Sequence, residues 1–273
     1  MNSLEQKMVE VLSDLRENNS VIGVKAEFEA EGTRLEEALR LKEVVTRAGL
    51  ELTIKIGGCE ALRDMYECRT VGVERLVAPM VESPFALKKF LQAVNLAYPK
   101  DERQYVKLAV NIETKTAVKN FPDMLNLPQI GDLHGIVMGR VDLTGSLGLD
   151  RDMDINGEEV FEITRNLFRE SKARGMENAV GGGVSVHSIP FFQKLAEENL
   201  IDRYETRKVI FKCPEALNNH TENGIMKAVG FELLWLKNKR DYYQIISVED
   251  AQRIQMLENR YKTIIEKAGG YVQ

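Results

Sequence analysis

The chain has 273 residues, 44% of them hydrophobic and 29% charged, which is enough for a sizeable core and one large α/β domain. Its formal charge of −5, without a long basic run, argues against nucleic acid or an anionic membrane as a partner. No signal-peptide core or membrane-spanning apolar run is present, and three cysteines without CxxC spacing fit a reducing compartment, so we predict a cytoplasmic protein.

The predicted elements begin with a polar, amphipathic helix over residues 1–19. Seven apolar runs then predict strands: VIGVKAEF (21–28), LTIKIGG (52–58), RLVAPMV (75–81), VKLAVNIE (106–113), GIVMGRVDL (135–143), NAVGGGVS (178–185) and KVIFKC (208–213). The segments between them, such as 33–49 and 83–97, place apolar residues at three- and four-residue steps, as amphipathic helices do.

This alternation predicts the fold class. Several strands are apolar almost throughout, which is typical of parallel strands covered on both faces. Strand starts recur at intervals of roughly 25 to 30 residues, the length of a strand–helix unit. We therefore predict an α/β (β/α)8 TIM barrel with one strand still to be located. A doubly wound open sheet is the alternative, but no GxGxxG motif follows the first strand.

The predicted organisation is a single barrel domain over 1–273. It comprises an N-terminal helix (1–19), the barrel core (20–220) and C-terminal helices (221–273). In the last segment Ile254, Leu257, Tyr261, Ile264 and Ala268 form an apolar stripe. This stripe either packs on its own barrel or reaches a neighbouring subunit, and the surplus apolar surface favours a homo-oligomer.

In a parallel barrel the carboxyl ends of the strands converge on one face and carry the site. Glu113 and Asp142 end consecutive strands, whose backbones lie about 4.8 Å apart. Two carboxylates that close repel each other unless a base or a cation lies between them, and two carboxylates with open positions suit Mg²⁺ or Mn²⁺. Pairing of each acid with a base such as Arg140 is the alternative. The other charged residues at these ends are Lys25, Glu27, Glu29, Lys55 and Glu82.

Three motifs extend this interpretation. LVAPMVES (76–83), VNIETKTAV (110–118) and GIVMGRVDLTGSLG (135–148) resemble, in order and spacing, the metal-dependent pyruvate aldolases and citrate-lyase-type enzymes of the HpcH/HpaI family. The resemblance is clearest from about residue 50 to 150. It implies a (β/α)8 barrel in which Glu113 and Asp142 ligate Mg²⁺ or Mn²⁺ and an oxo-acid substrate chelates the ion.

The chain departs from the aldolase pattern at two places. Lys55 stands where the aldolases usually carry an arginine, and Arg140 stands where they more often have proline, so Arg140 is predicted to supply the bidentate contact to a substrate carboxylate. KAEFEAEG (25–32) lacks the aldolase histidine base, which leaves Glu27 and Glu29 as the acids available there. His187 resembles the histidine of an IHP element in the CoA-ester lyase branch. Candidate substrate-binding residues are Lys25, Glu82, Glu60 and Gly139.

We therefore predict a metal-dependent carbon–carbon lyase or aldolase acting on a pyruvate- or oxaloacetate-type substrate. Arg140 and Lys55 would orient the substrate and neutralise its charge, and a glutamate or His187 would move the proton. A CoA-ester lyase of the citrate lyase branch is one alternative. The other is a binding or assembly subunit that keeps the metal and oxo-acid pocket without catalysis, which the missing histidine and arginine favour.

Overall fold

The structure, a computed structural model, describes residues 1–268, except for the side chains of 151 and 152. The chain forms a closed eight-stranded barrel in which each strand pairs with its neighbours in sequence and the last strand pairs with the first. The strands are β1 Val21–Glu27, β2 Glu51–Lys55, β3 Arg75–Ala78, β4 Lys107–Ile112, β5 Gly135–Gly139, β6 Glu177–Gly181, β7 Arg203–Glu205 and β8 Val209–Lys212. The predicted barrel is confirmed.

Helices surround this barrel. They are α1 Ser3–Asn19, α2 Leu35–Arg47, α3 Leu62–Val71, α4 Pro84–Ala97, α5 Lys100–Arg103, α6 Lys115–Met124, α7 Arg140–Leu147, α8 Arg151–Asp154, α9 Glu158–Lys172, α10 Ile189–Glu197 and α11 Thr221–Lys267. Short 3-10 turns cover Ile130–Asp132 and Val186–Ser188. Most helices return the chain to the amino-terminal end of the next parallel strand.

The strand absent from the sequence prediction is β7, and the strand after it reverses direction. Strands β1 to β7 run parallel to one another, whereas β8 is antiparallel to both of its neighbours, β7 and β1. Only residues 206–208 separate β7 from β8, and this is too short for a crossover helix, so the chain turns back as a hairpin. Sequence periodicity missed β7 because it has three residues, two of them charged.

Several predicted strands extend too far toward their carboxyl ends, and the two with the largest excess, of four residues each, are GIVMGRVDL and NAVGGGVS. GIVMGRVDL stops being a strand at Gly139, and α7 begins at Arg140. Val141 and Leu143 continue the apolar alternation of the strand in the sequence, but in the structure they belong to the first turn of α7. NAVGGGVS ends as a strand at Gly181, because Gly182 and Gly183 have φ values of 78° and 59°, which glycine adopts without strain.

The main core lies between the helices and the outer faces of the strands. Inside the barrel the apolar cluster is small and consists of short side chains: Val77, Ala109, Val137 and Ala179. Such short side chains leave room inside the barrel for the long charged residues of neighbouring strands. The interior therefore supports a polar pocket at one end.

The two terminal helices pack against each other on the outside of the barrel. Met8, Leu12 and Leu15 of α1 are fully buried, as is Phe231 of α11. Lys227 pairs with Asp14 at 2.5 Å, and Asn2 donates to Asn238 at 2.6 Å. The first half of α11 thus completes the ring of helices.

The predicted C-terminal helices are one continuous helix of 47 residues, α11, and residues 269–273 of the predicted segment lie outside the described residues. Beyond about Lys239, α11 exposes its apolar side chains. Ile254, Leu257, Tyr261 and Ile264 are each 47–65% exposed, so the predicted stripe does not pack on its own barrel. Among the described helices, none combines the length and apolar character that a membrane crossing needs.

Candidate functional site

A pocket of about 440 Å³ opens at the carboxyl-terminal ends of the strands. Six carboxylates and three cationic side chains line it: Glu27, Glu29, Glu113, Asp142, Glu205, Glu232, Lys25, Lys55 and Arg207. The backbone of the glycine turn 181–183 and the side chains of Asn111, Val77, Val137 and Val141 complete the wall. Carboxylates outnumber cations, so the pocket favours a bound cation.

Glu113 and Asp142 reach this pocket from different elements. Glu113 follows the last residue of β4, and Asp142 lies in the first turn of α7. Glu113 is 2% exposed, whereas Asp142 is exposed and has no hydrogen-bond or ion-pair partner within residues 1–268. The sequence analysis placed both acids at one end of the barrel, and the structure shows both lining the same pocket.

Hydrogen bonds from two directions hold the Glu113 carboxylate in place. Oε1 accepts a hydrogen bond from the Met80 N–H at 2.9 Å, and Oε2 accepts one from Asn111 Nδ2 at 2.7 Å. Burial raises the pKa of Glu113, the charge of Asp142 raises it further, and the two hydrogen bonds together with Lys55 only partly oppose this. A buried carboxylate with a raised pKa next to a second acid is a site where a cation removes an electrostatic cost.

Gly139, at the end of β5, is required for this arrangement. A Cβ atom built on Gly139 would lie 2.3 Å from Glu113 Oε2 and 2.8 Å from Glu113 Cβ. Its φ of −86° is available to any residue, so the close approach of the carboxylate, and not the backbone conformation, accounts for the glycine.

The donor set fits an open site for a hard divalent ion. The described part of the chain contains no group of three or more His, Cys, Asp and Glu side chains arranged to hold a metal. Mg²⁺ and Mn²⁺ are bound through one or two carboxylates, with water and substrate oxygens in the remaining positions. Glu113 and Asp142 would be the protein ligands of such an ion.

Lysines and glutamates alternate across the floor of the pocket. Lys25 Nζ lies 3.2 Å from Glu205 and 3.4 Å from Glu27, and Lys55 Nζ lies 3.7 Å from Glu27 and 2.8 Å from Glu29. Burial opposes the charged form of both lysines, but their carboxylate neighbours outweigh it and raise both pKa values. Both lysines are therefore cationic at neutral pH and cannot serve as amine nucleophiles.

The predicted role of Arg140 has to be corrected. Its guanidinium is fully buried on the far side of the glycine turn, where Nε donates to Gly181 O at 3.2 Å and Nη2 donates to Gly182 O at 2.9 Å. The rings of Phe191 and Phe192 lie 5.0 and 5.3 Å from it. Burial lowers the pKa of Arg140 to about 9. Arg140 fixes the wall of the pocket and does not face a substrate.

Three other candidates also lie outside the pocket. His187 is exposed in the 3-10 turn before α10. Glu82 accepts a hydrogen bond from the Thr114 hydroxyl at 2.6 Å, and Glu60 pairs with Lys89 at 2.7 Å. These contacts direct both glutamates toward neighbouring helices, because each follows its strand by several residues and has already left the barrel end.

Sequence reasoning missed five polar pocket residues: Asn111, Glu205, Thr206, Arg207 and Glu232. Glu205 and Arg207 belong to β7 and its hairpin, so locating that strand in RYETRK would have revealed them. Asn111 lies two residues before Glu113 on the same face of β4, which is the position of a residue that supports a ligand. Glu232 comes from α11, and no local pattern connects that helix with the pocket.

Comparison with known proteins identifies relatives of this barrel. The sequence profile of the family described as HpcH/HpaI aldolase/citrate lyase matches residues 31–182, more than half of the chain. No curated protein sequence gives a significant match. The matched region includes every strand end from β2 to β6, and therefore Lys55, Glu113 and Asp142.

Solved structures share the fold. An HpcH/HpaI aldolase from Desulfitobacterium hafniense DCB-2 is 14% identical, with a TM-score of 0.59 over 83% of this chain and 89% of that one. A family protein from Burkholderia cenocepacia J2315 is 14% identical, with a TM-score of 0.57 over 90% and 100%. The citrate synthase SbnG is 14% identical, with a TM-score of 0.59 over 86% and 90%. At such identities the likeness shows the fold alone.

Proposed function

The chain belongs to the HpcH/HpaI aldolase/citrate lyase family, and on that premise we propose that it cleaves or forms a carbon–carbon bond of a 2-oxo acid at the pocket of Glu113 and Asp142. Enzymes of this family are lyases and generally depend on a divalent metal. The observation that carries the proposal is the pair itself: a buried carboxylate held by two hydrogen bonds, and a second one in the same pocket that has no partner among the described residues. The substrate class is a pyruvate- or oxaloacetate-type acid, and the ion is Mg²⁺ or Mn²⁺.

Each pocket residue has a defined task in this proposal. Glu113 and Asp142 would hold the ion, with Asn111 and the Met80 N–H fixing the position of Glu113. When bound, the ion supplies a Lewis acid that stabilises negative charge on the oxo oxygen of the substrate. Lys55 lies within electrostatic range of Glu113 and would orient the substrate carboxylate.

A glutamate is the better candidate for proton transfer, since His187 lies outside the pocket. Glu27 lies between two lysines, and although its burial opposes ionisation, Lys25 and Lys55 keep its pKa low. It therefore holds the lysines in place. Glu29 pairs with Lys55 at 2.8 Å and is one-third exposed at the rim, where it can exchange protons with solvent. We assign the proton transfer to Glu29.

The test is lysis and decarboxylation of oxaloacetate, and aldol condensation of pyruvate with short aldehydes, in the presence of Mg²⁺ or Mn²⁺. Turnover should require the ion and should fall by at least a hundredfold in Glu113→Gln and Asp142→Asn. Glu60→Gln, which changes a carboxylate outside the pocket, is the matched control and should keep wild-type activity. Full turnover with chelator present would refute the proposal.

A binding or assembly subunit is the second candidate. One observation favours it: each pocket cation already has a carboxylate partner, since Lys25 and Lys55 pair as described and Arg207 lies 3.3 Å from Glu31. A substrate carboxylate must then compete with these acids. Tight oxo-acid binding by the metal-loaded protein, without turnover of any oxo acid, would select this candidate.

We also propose a homo-oligomer that uses the distal part of α11. Exposed apolar residues continue along this helix, including Ile245, Ile254, Leu257, Tyr261 and Ile264. Monomeric proteins rarely expose so continuous an apolar surface, and symmetric association is the common way to cover it.

A further inference from the structure

A second charged region lies at the opposite end of the barrel, where β4, β5 and β6 begin. A cavity of about 390 Å³ opens there and is lined by Lys107, His134, Arg174, Glu177 and neighbouring residues. These residues are far along the strands from the carboxyl-terminal pocket and take no part in the proposed reaction. The region therefore needs its own explanation.

Cations are in excess at this end. The Glu177 carboxylate forms ion pairs with three of them: Arg75, Arg203 at 2.6 Å and Lys107 at 3.4 Å. Burial opposes the ionised form of Glu177, but these cations outweigh it and lower its pKa. One carboxylate thus faces three positive groups, and Arg174 lines the same cavity, in a chain whose formal charge is −5. Local positive charge of this kind favours an anion.

Helix ends account for only part of the excess. Arg174 follows the C-terminus of α9, where cations interact favourably with the helix dipole. Arg75 and Arg203 instead lie inside the barrel, 4% and 8% exposed, and Arg75 Nε has no hydrogen-bond partner among the described residues. These two arginines already neutralise Glu177. The ion pair between exposed Lys107 and Glu177 is longer, so Lys107 is the cation that can exchange Glu177 for a bound anion.

His134 adds a donor of defined tautomer. Its Nδ1 accepts the backbone N–H of Leu108 at 3.1 Å, so the proton of the neutral ring is on Nε2. Burial lowers the pKa of His134, and the charges of Arg103, Arg75 and Lys107 lower it further. The ring is therefore neutral at pH 7 and presents an Nε2–H donor at the cavity.

We propose that the cavity formed by Lys107, His134 and Arg174 binds a phosphate group, either as inorganic phosphate or as the monoester of a small molecule. The three donors come from three elements: the start of β4, the residue before β5 and the turn between α9 and β6. Donors that arrive from several directions match the tetrahedral oxygens of phosphate better than the two coplanar oxygens of a carboxylate. The site is independent of the proposed lyase activity.

The experiment is calorimetric titration of the full chain, free of divalent ions, with inorganic phosphate and with glycerol 3-phosphate. Acetate and chloride at matched ionic strength are the controls. Phosphate should bind, and Lys107→Met and Arg174→Met should each weaken binding about tenfold. His134→Asn keeps an acceptor for the Leu108 N–H, removes the Nε2–H donor and should also weaken binding.

Lys100→Met, an exposed lysine of α5 outside the cavity, is the matched control and should bind phosphate as the wild type does. Tighter binding of glycerol 3-phosphate identifies a monoester as the ligand, and equal binding identifies free phosphate. Acetate binding as tight as phosphate binding would overturn the proposal, as would phosphate binding that is unchanged in Arg174→Met, whose exposed side chain contributes little to folding.

Discussion

Gly139→Ala tests the contact that holds Glu113 in place. The new methyl carbon would lie 2.3 Å from Glu113 Oε2, so the carboxylate must move by about 1 Å to reach an ordinary van der Waals distance. Overpacking of this kind costs about 1–3 kcal/mol of unfolding free energy. Displacing one of the two proposed protein ligands should also weaken Mn²⁺ binding by at least about tenfold.

The matched control is Gly145→Ala. Gly145 lies inside α7, is exposed, and has no atom within 4 Å of an added Cβ, so alanine there should stabilise the protein by up to about 1 kcal/mol through helix propensity. Urea unfolding and Mn²⁺ titration of both variants give the comparison. Equal stability and equal Mn²⁺ affinity of the two variants would show that the close approach to Glu113 is not a constraint.

Three further changes follow from the same structure. In the metal-free protein, the raised pKa of Glu113 means that the folded state loses stability as the pH rises through that pKa. Glu113→Gln should therefore raise the urea midpoint at pH 7, and this gain should vanish below pH 4.5. A gain independent of pH would contradict this. Arg140→Met leaves the carbonyls of Gly181 and Gly182 without their donors and should cost about 3 kcal/mol in urea unfolding, against less than about 0.5 kcal/mol for exposed Arg63→Met. The double variant Leu257→Asn/Ile264→Asn should dissociate the oligomer in sedimentation analysis while Arg260→Ser does not, and a monomeric wild type would refute the proposed interface.

The sequence predicted the barrel because its strand–helix period is set by local patterns. Apolar runs and amphipathic segments recur along most of the chain, and each strand from β1 to β6 begins within one residue of its predicted start. β7 was not predicted because two of the three residues of Arg203–Glu205 are charged. Their partners lie across the barrel, so they leave no local pattern of a strand. Because β7 was not predicted, the hairpin that makes β8 antiparallel was not predicted either.

The sequence indicated which residues lie near one another where position along a strand decides it, but not where side-chain direction decides it. Glu113 and Asp142 reach one pocket because the ends of β4 and β5 are neighbours. Arg140 lies beside them in sequence, but α7 begins there and turns the guanidinium toward Gly181, Gly182 and Ser188, some forty residues later in the chain. Contacts at that separation leave no local signal.

The central claim is that Glu113 and Asp142 bind one divalent ion. Mn²⁺ titration followed by electron paramagnetic resonance tests it most directly, since free and bound Mn²⁺ give different signals and no substrate is needed. We expect one site in the wild type and affinities reduced by at least about tenfold in Glu113→Gln and Asp142→Asn. Glu82→Gln changes a half-buried acid at the same end of the barrel but outside the pocket, and this variant should bind Mn²⁺ as the wild type does. Wild-type affinity in both ligand variants would contradict the account.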